Sequence, residues 1–356
     1  MSKKASLTTV ELFAGAGGMA IGFEQAGFEH LLLNEFDSDA CKTLRKNRPN
    51  WNVVEGDVSN LDFTYLAGKV DVLAGGFPCQ AFSYAGKRLG FGDPRGTLFM
   101  EYARAVAEIR PKVALAENVR GLVNHDGGRT LATIQKTMAD LGYYPIHSKI
   151  LKAVEFGVPQ KRERIILAWA TEPYAELKIK RIGGSDNPRL RDALKAGSLY
   201  PVDVPPSPGI NYSKAKAKVL AQVPPGGYWK DLPPGVAKAY MKGSWNLEGG
   251  RTGIARRISW DEPSLTVLTS PAQMQTDRCH PDEVRPFTVR ESARIQTFPD
   301  AWEFEGAIGA QYRQIGNAVP VMLAEAIAVA IAAWIENIPG SKARKMSKSA
   351  KVLEMV

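Results

Sequence analysis

The sequence predicts an α/β protein in two parts: a mostly parallel sheet with helices on both faces, and a smaller loop-rich domain inserted late in the chain. Three observations carry this. Short apolar runs alternate with helix-length patterns through residues 7–170. Proline and glycine then crowd residues 171–284, where periodic helices are few. Helical periodicity returns near 288–296, and a long apolar helix follows at 319–338.

The strand-like runs are residues 7–13, 30–34, 51–54, 70–74 and 112–116. Between them lie helical patterns with physical stops. Residues 19–26 end at Gly27, 38–47 end before Pro49, 97–110 end at Pro111, and 129–141 end at Gly142. A further strand pair, 146–154 and 164–170, completes the first part. The apolar face of 319–338 should pack back on that sheet, so the large domain is discontinuous. The expected boundaries are 1–183 with 303–338 for the large domain, 184–284 for the second domain, 285–302 for a hinge and 339–356 for a basic tail.

At 356 residues and 44% hydrophobic content, the chain is globular and long enough for a large core. No apolar run looks long and uncharged enough to cross a membrane. The N-terminus carries no signal-peptide core, and the reading is cytoplasmic. The formal charge of +9 mildly favours a polyanionic partner, although five cations sit in the tail against Glu354. Three cysteines, Cys41, Cys79 and Cys279, are too sparse for a disulfide framework. The histidines are scattered, so no metal site is expected; Cys279-His280 reads as structural.

Cys79 stands apart. It follows Pro78 where the run 70–74 gives out into Gly75-Gly76-Phe77, so a thiol sits at the tip of a strand exit. Phe13-Ala14-Gly15-Ala16-Gly17-Gly18 follows the first strand and opens the first helix, where glycine lets the backbone approach a ligand. Glu35, at the end of the second strand, is placed to bond a ribose diol. Asp57, after the third, could accept from an adenine amino group. Together they suggest an adenosine site, with NAD and ATP open at this point. A Walker lysine is lacking, which disfavours nucleoside triphosphates. Glu117-Asn118-Val119 ends the fifth strand and puts a carboxyl near Cys79. In Gln160-Lys161-Arg162-Glu163-Arg164, period two puts Gln160, Arg162 and Arg164 on one face. The glycines and cations of residues 81–96 read as a mobile basic loop.

These blocks, with Asp93–Phe99, Arg285–Pro299 and Gln314–Pro320, form an ordered series from about residue 7 to 338. The series resembles the DNA cytosine carbon-5 methyltransferases of bacterial restriction–modification type. The resemblance implies a Rossmann-like S-adenosylmethionine-dependent methyltransferase sheet and makes the loop-rich part a target-recognition domain. It makes S-adenosylmethionine the cofactor, held by Phe13, Ala14, Gly15, Gly17, Gly18, Glu35, Phe36, Asp57, Val58, Pro78, Leu98, Asn317 and Ala318, with Phe36 in place of the tryptophan common in relatives. It makes Cys79 the nucleophile on carbon-6 of a flipped cytosine and Glu117 the partner of ring N3. Arg164 contacts the base, Arg162 supports it, and Asn118 orders the loop. Double-stranded DNA becomes the partner of a monomer. Ser83, Lys87 and Arg95 in the basic loop, and Arg251, Arg256, Arg257, Gln273 and Gln275 in the recognition region, are the candidate contacts. Two other readings stand beside this one. A transfer-RNA methyltransferase of the same fold would carry a Cys-Phe-Thr signature, which is missing here. A catalytically idle DNA-binding repressor would not need Cys79, Glu117 and Arg164 intact.

Overall fold

A computed structural model describes residues 6–77, 97–172, 175–181, 187–248, 251–271, 273 and 276–338. Its centre is a seven-stranded sheet in the order β3-β2-β1-β4-β5-β8-β6. The strands are β1 (Leu7–Leu12), β2 (Phe28–Glu35), β3 (Val53–Glu55), β4 (Val72–Gly75), β5 (Val113–Val119), β6 (Tyr144–Lys152) and β8 (Glu163–Ala170). β1 to β5 run parallel, while β8 lies antiparallel between β5 and β6. Each strand expected from the sequence is present. The short β7 (Gln160–Lys161) instead pairs with β9 (Ser264–Leu265) in a separate two-stranded sheet.

Period two divides the sheet residues between two cores, as a sheet covered on both faces requires. Leu73, Ala114, Ala116, Leu167 and Trp169 face one apolar cluster with α3 (Thr97–Ile109) and α4 (Arg129–Asp140). Val72, Ala74, Val113, Leu115, Ile166 and Ala168 face the other, with α1 (Gly18–Gln25) and α10 (Val321–Glu336). The terminal helix therefore returns to the first sheet. A Cβ on Gly22 would lie 2.5 Å from the Glu325 backbone nitrogen, so α1 and α10 meet backbone to backbone. Contrary to the sequence expectation, a window within Ile308–Glu336 is apolar and uncharged enough to satisfy a membrane-span criterion. That window is 67% buried inside the protein, the behaviour of a core helix.

Between β8 and α10 lie α5 (Leu190–Leu194), α6 (Lys214–Leu220), α7 (Pro234–Met241), α8 (Val289–Ile295) and α9 (Ile308–Asn317). Tyr212, Leu220, Trp229, Met241, Ile254 and Cys279 form an apolar cluster of their own. Leu190, Leu194, Ile258 and Val267 pack instead with Ala14, Ala20 and Leu44 beside the sheet. Residues 285–300 are pinned by paired charges. Glu291 caps α8, accepts from the Thr288 N–H at 2.7 Å and takes both terminal nitrogens of Arg285 at 2.7 and 2.9 Å. Arg294, fully buried, pairs with Asp300 at 2.6 Å and donates to the Ala193, Val202 and Asp203 carbonyls.

Candidate active site

In open α/β sheets, ligands gather beyond the carboxyl ends of strands where the strand order reverses, here between β1 and β4. Phe13 and Gly15, just after β1, adopt positive φ of 59° and 55°. Gly17 (φ 86°) starts α1, but it faces Leu44 and Trp302, so it serves packing and not the cavity. Gly18 has no room for a side chain, because a Cβ there would sit 2.2 Å from the Val319 carbonyl oxygen. The glycine loop is thereby pressed against the turn that carries Asn317 and Ala318.

Glu35 at the end of β2 accepts from the Gly15 N–H at 2.7 Å with one oxygen, and from Phe36 and Asp37 N–H at 2.8 Å with the other. A carboxylate offers about four acceptor positions, so roughly one stays open toward a ligand hydroxyl. Asn34 ties β2 to β3 through the Val54 and Gly56 carbonyls. The Phe36 ring is 76% exposed. Asp57 accepts from the Ser59 N–H at 2.9 Å, and bonds from Ser59 hold its carboxyl below the usual range. These ends enclose a cavity of about 770 Å³, lined also by Val58, Leu98, Asn317 and Ala318.

The same cavity is lined by Glu117, Asn118 and Arg164. Glu117 is buried, and its Oε1 lies 2.8 Å from Arg164 Nε, an ion pair poorly aligned for a hydrogen bond. A Cβ on Gly76 would stand 3.4 Å from Glu117 Oε2, so the β4 exit passes directly beside this carboxyl. Asn118 Nδ2 donates to the Phe77 carbonyl at 2.8 Å, and its Oδ1 accepts from the Val119 N–H at 2.8 Å. The tip of β5 thus holds the backbone two residues before Cys79. Cys79 itself, with Pro78, Ser83, Lys87, Arg95 and Gln275, lies outside the described residues. The other two thiols are buried, which pushes Cys41 up to about 12 and Cys279 to about 11.

Arg164 lines the cavity, whereas Arg162 stands behind its wall. The strand is interrupted at Arg162, between β7 and β8. Arg162 is buried and donates to the carbonyls of the lining residues Gly316 and Ala318 at 3.1 and 2.9 Å. Burial, with Arg164 nearby, brings its guanidinium down to about 9. Sequence reasoning missed several lining residues, among them the charged Glu11 and Arg313. Glu11 is buried in β1, and burial together with Glu35 raises its carboxyl well above the usual range. Alternation along β1 was a signal, because a carboxylate sits there among core positions. Arg313 of α9 also lines the cavity, but an exposed arginine on a helix carries no such signal.

In the loop-rich region, Arg257 donates to the Pro281 and Val223 carbonyls at 2.9 and 3.1 Å. Arg251 donates to the Ser244 and Trp245 carbonyls, both at 2.8 Å, and stacks 5.0 Å over Trp229. Contact with base edges would require these bonds to break. Arg256 lies 3.6 Å from Glu262, and Gln273 is exposed. Among the described residues no cluster of metal-ligating side chains exists.

Residues 7–333 match the family model for the C-5 cytosine-specific DNA methylase. The chain is 61% identical over 333 residues to the Type II methyltransferase M.Eco47II of Escherichia coli, covering 93% of this chain and 80% of that one. It is 59% identical to the Type II methyltransferase M.PspPI of a Psychrobacter strain, covering 94% and 81%. A crystal structure of a prophage-encoded DNA modification methyltransferase from E. coli superposes with a TM-score of 0.66 at 23% identity, over 93% of this chain and 100% of that one, and shows the shared fold. The protein belongs to the C-5 cytosine-specific DNA methylases.

Proposed function

We propose that this enzyme transfers a methyl group from S-adenosylmethionine to carbon-5 of a cytosine flipped out of a short, specific double-stranded DNA sequence, as the modification enzyme of a restriction–modification system. The observation that carries the reading is the continuity of one cavity. It runs from Phe36 and Asp57, through the glycine loop, to Glu117 and Arg164 beside the β4 exit.

The cavity fits the cofactor. Phe36 offers an exposed ring face for an adenine, Asp57 an acceptor for its amino group, and Glu35 an open acceptor position for a ribose hydroxyl. The glycine loop and the turn at Asn317 and Ala318 approach closely enough to border a methionine moiety. When bound, the cofactor supplies an electrophilic methyl sulfonium.

Carbon-5 of cytosine is a poor nucleophile. The Cys79 thiolate adds to carbon-6, and the displaced electron pair makes carbon-5 enamine-like, ready to take the methyl group. Glu117 donates to ring N3 and stabilises the adduct. Arg164, already paired with Glu117, orients that carboxyl and meets the base. Asn118 holds the Phe77 carbonyl and so fixes the strand exit two residues before Cys79. Loss of the carbon-5 proton then expels Cys79 and restores the ring. Flipping the base costs a few kcal/mol, offset by contacts from residues 81–96 and from a recognition domain built around Tyr212, Trp229 and Met241.

Bisulfite sequencing of mixed-sequence DNA incubated with the protein and S-adenosylmethionine tests the reading. Protected cytosines should appear in one short context. Protection in none, with the protein folded and the cofactor bound, would refute it.

A further inference from the structure

The turn between α9 and α10 is held from two sides. Gly18 of the glycine loop presses on Val319. Leu268 and Thr269, which follow β9, press on Gly316, where a Cβ would lie 2.7 Å from the Leu268 carbonyl carbon and the Thr269 nitrogen. The turn's carbonyls are taken up by buried side chains. Gln296 Nε2 donates to Ile315 O at 2.7 Å and to Ala318 O at 3.1 Å, beside the two bonds from Arg162. Gln160 completes the connection. Its Nε2 donates to Gln296 Oε1 at 2.8 Å, and its Oε1 accepts from the Val267 N–H at 2.9 Å. Both glutamines are fully buried.

Two amides in series therefore run from the Val267 backbone to the backbone that flanks Asn317. Each turns its oxygen toward the recognition region and its nitrogen toward the cofactor turn. A buried chain with its bonds made is rigid, and breaking one link strands polar groups. Residues 267–269 cannot shift without either moving the turn or orphaning these groups.

We propose that Gln160 and Gln296 are positioning residues that couple occupancy of the recognition region by DNA to occupancy of the cavity by the cofactor. This rests on the function proposed above. Coupling between two binding sites is reciprocal, so cofactor tightens DNA by the factor that DNA tightens cofactor. Because the amides act in series, losing either one removes the coupling as completely as losing both.

The test uses Gln160→Met and Gln296→Met, singly and together, which nearly conserve volume while removing the bonds. S-adenosylhomocysteine affinity is measured by calorimetry with and without saturating unmethylated plasmid DNA, beside thermal unfolding. In the parent, DNA should tighten S-adenosylhomocysteine about 5-fold or more. In each single variant and in the double variant the gain should fall below about twofold, whatever the DNA-free affinity of the variant. A purely structural role would lower the melting temperature and leave the ratio intact. An intact ratio in the variants, or no gain in the parent, overturns the proposal. If the double variant fails to fold, Gln296→Asn, which keeps an amide but shortens its reach, carries the same comparison. DNA-free binding of S-adenosylhomocysteine to the parent reports separately on the functional reading.

Discussion

The cavity at the strand ends and the region built around Tyr212 and Trp229 use their polar side chains in opposite ways. At the strand ends, Phe36, Asp57, Glu117 and Arg164 line the cavity; the sheet ladder satisfies the strands behind them, and only the strand exits call on side chains such as Glu35, Asn34 and Asn118. In the other region the backbone is mostly irregular, and several of its carbonyls and N–H groups are satisfied by side chains. Arg251 holds two carbonyls and Arg257 three, and buried Asp277 accepts from the Ala255 N–H at 2.7 Å and Tyr240 at 3.1 Å while pairing with Lys216. Regular structure frees side chains for chemistry, while irregular structure consumes them. A cation in a loop-rich region is therefore weaker evidence of a ligand than a carboxylate at a strand end.

This contrast can be broken by substitution. Replacing Cys79 with alanine should lower methylation by at least about 10³-fold while DNA still binds. A smaller loss would remove the thiol from the chemistry. Glu117→Gln should lower kcat by about 10²- to 10⁴-fold with cofactor affinity kept, and a loss confined to KM would make it a binding group only. Gly18→Ala forces a methyl group onto the Val319 carbonyl, so overpacking of about 1–3 kcal/mol should appear in thermal unfolding. Unchanged stability would mean that the glycine loop and the turn are not in contact. Arg257→Met leaves backbone carbonyls unsatisfied and should cost about 1–3 kcal/mol. A base-reading arginine would leave stability intact and relax sequence specificity instead, which methylation mapping would show.

The smallest effect is a pH dependence. Burial lowers His30 and His147 in the sheet, and His280 in the loop-rich region, below the ordinary value near 6.5. As pH falls through that value, the unfolded chain binds protons that the folded chain does not, so stability declines until the lower folded values are reached. Denaturant titrations between pH 5 and pH 8, with each histidine replaced in turn, would assign the decline. Stability that rises on acidification would contradict it.

Much of the fold was legible because period two and helix stops are local signals. Seven strands and the return of α10 follow from alternation and from glycine or proline punctuation. The strand-end residues were legible for the same reason, since a motif there sits on regular backbone. What stayed hidden depends on distant partners. Gln160 and Gln296 meet across 136 positions, and nothing near either glutamine marks it as buried. Gly17 looked like a cavity residue because the loop is glycine-rich, yet its missing side chain makes room for Leu44 and Trp302. Glu11 is the exception, since a carboxylate among the core positions of β1 was a signal in plain view. The window in Ile308–Glu336 shows the limit of composition, because a core helix and a membrane span pass the same test.

The central claim is that Cys79 forms a covalent bond to a cytosine held against Glu117 and Arg164. DNA carrying 5-fluorocytosine tests it most directly, because after methylation carbon-5 holds a fluorine that cannot leave as a proton does. Incubation with S-adenosylmethionine should yield a denaturation-resistant protein–DNA complex whose crosslinked peptide, read by mass spectrometry, carries the nucleotide on Cys79. Methylation of ordinary DNA without any trapped complex, or a complex mapped to another residue, would contradict the account.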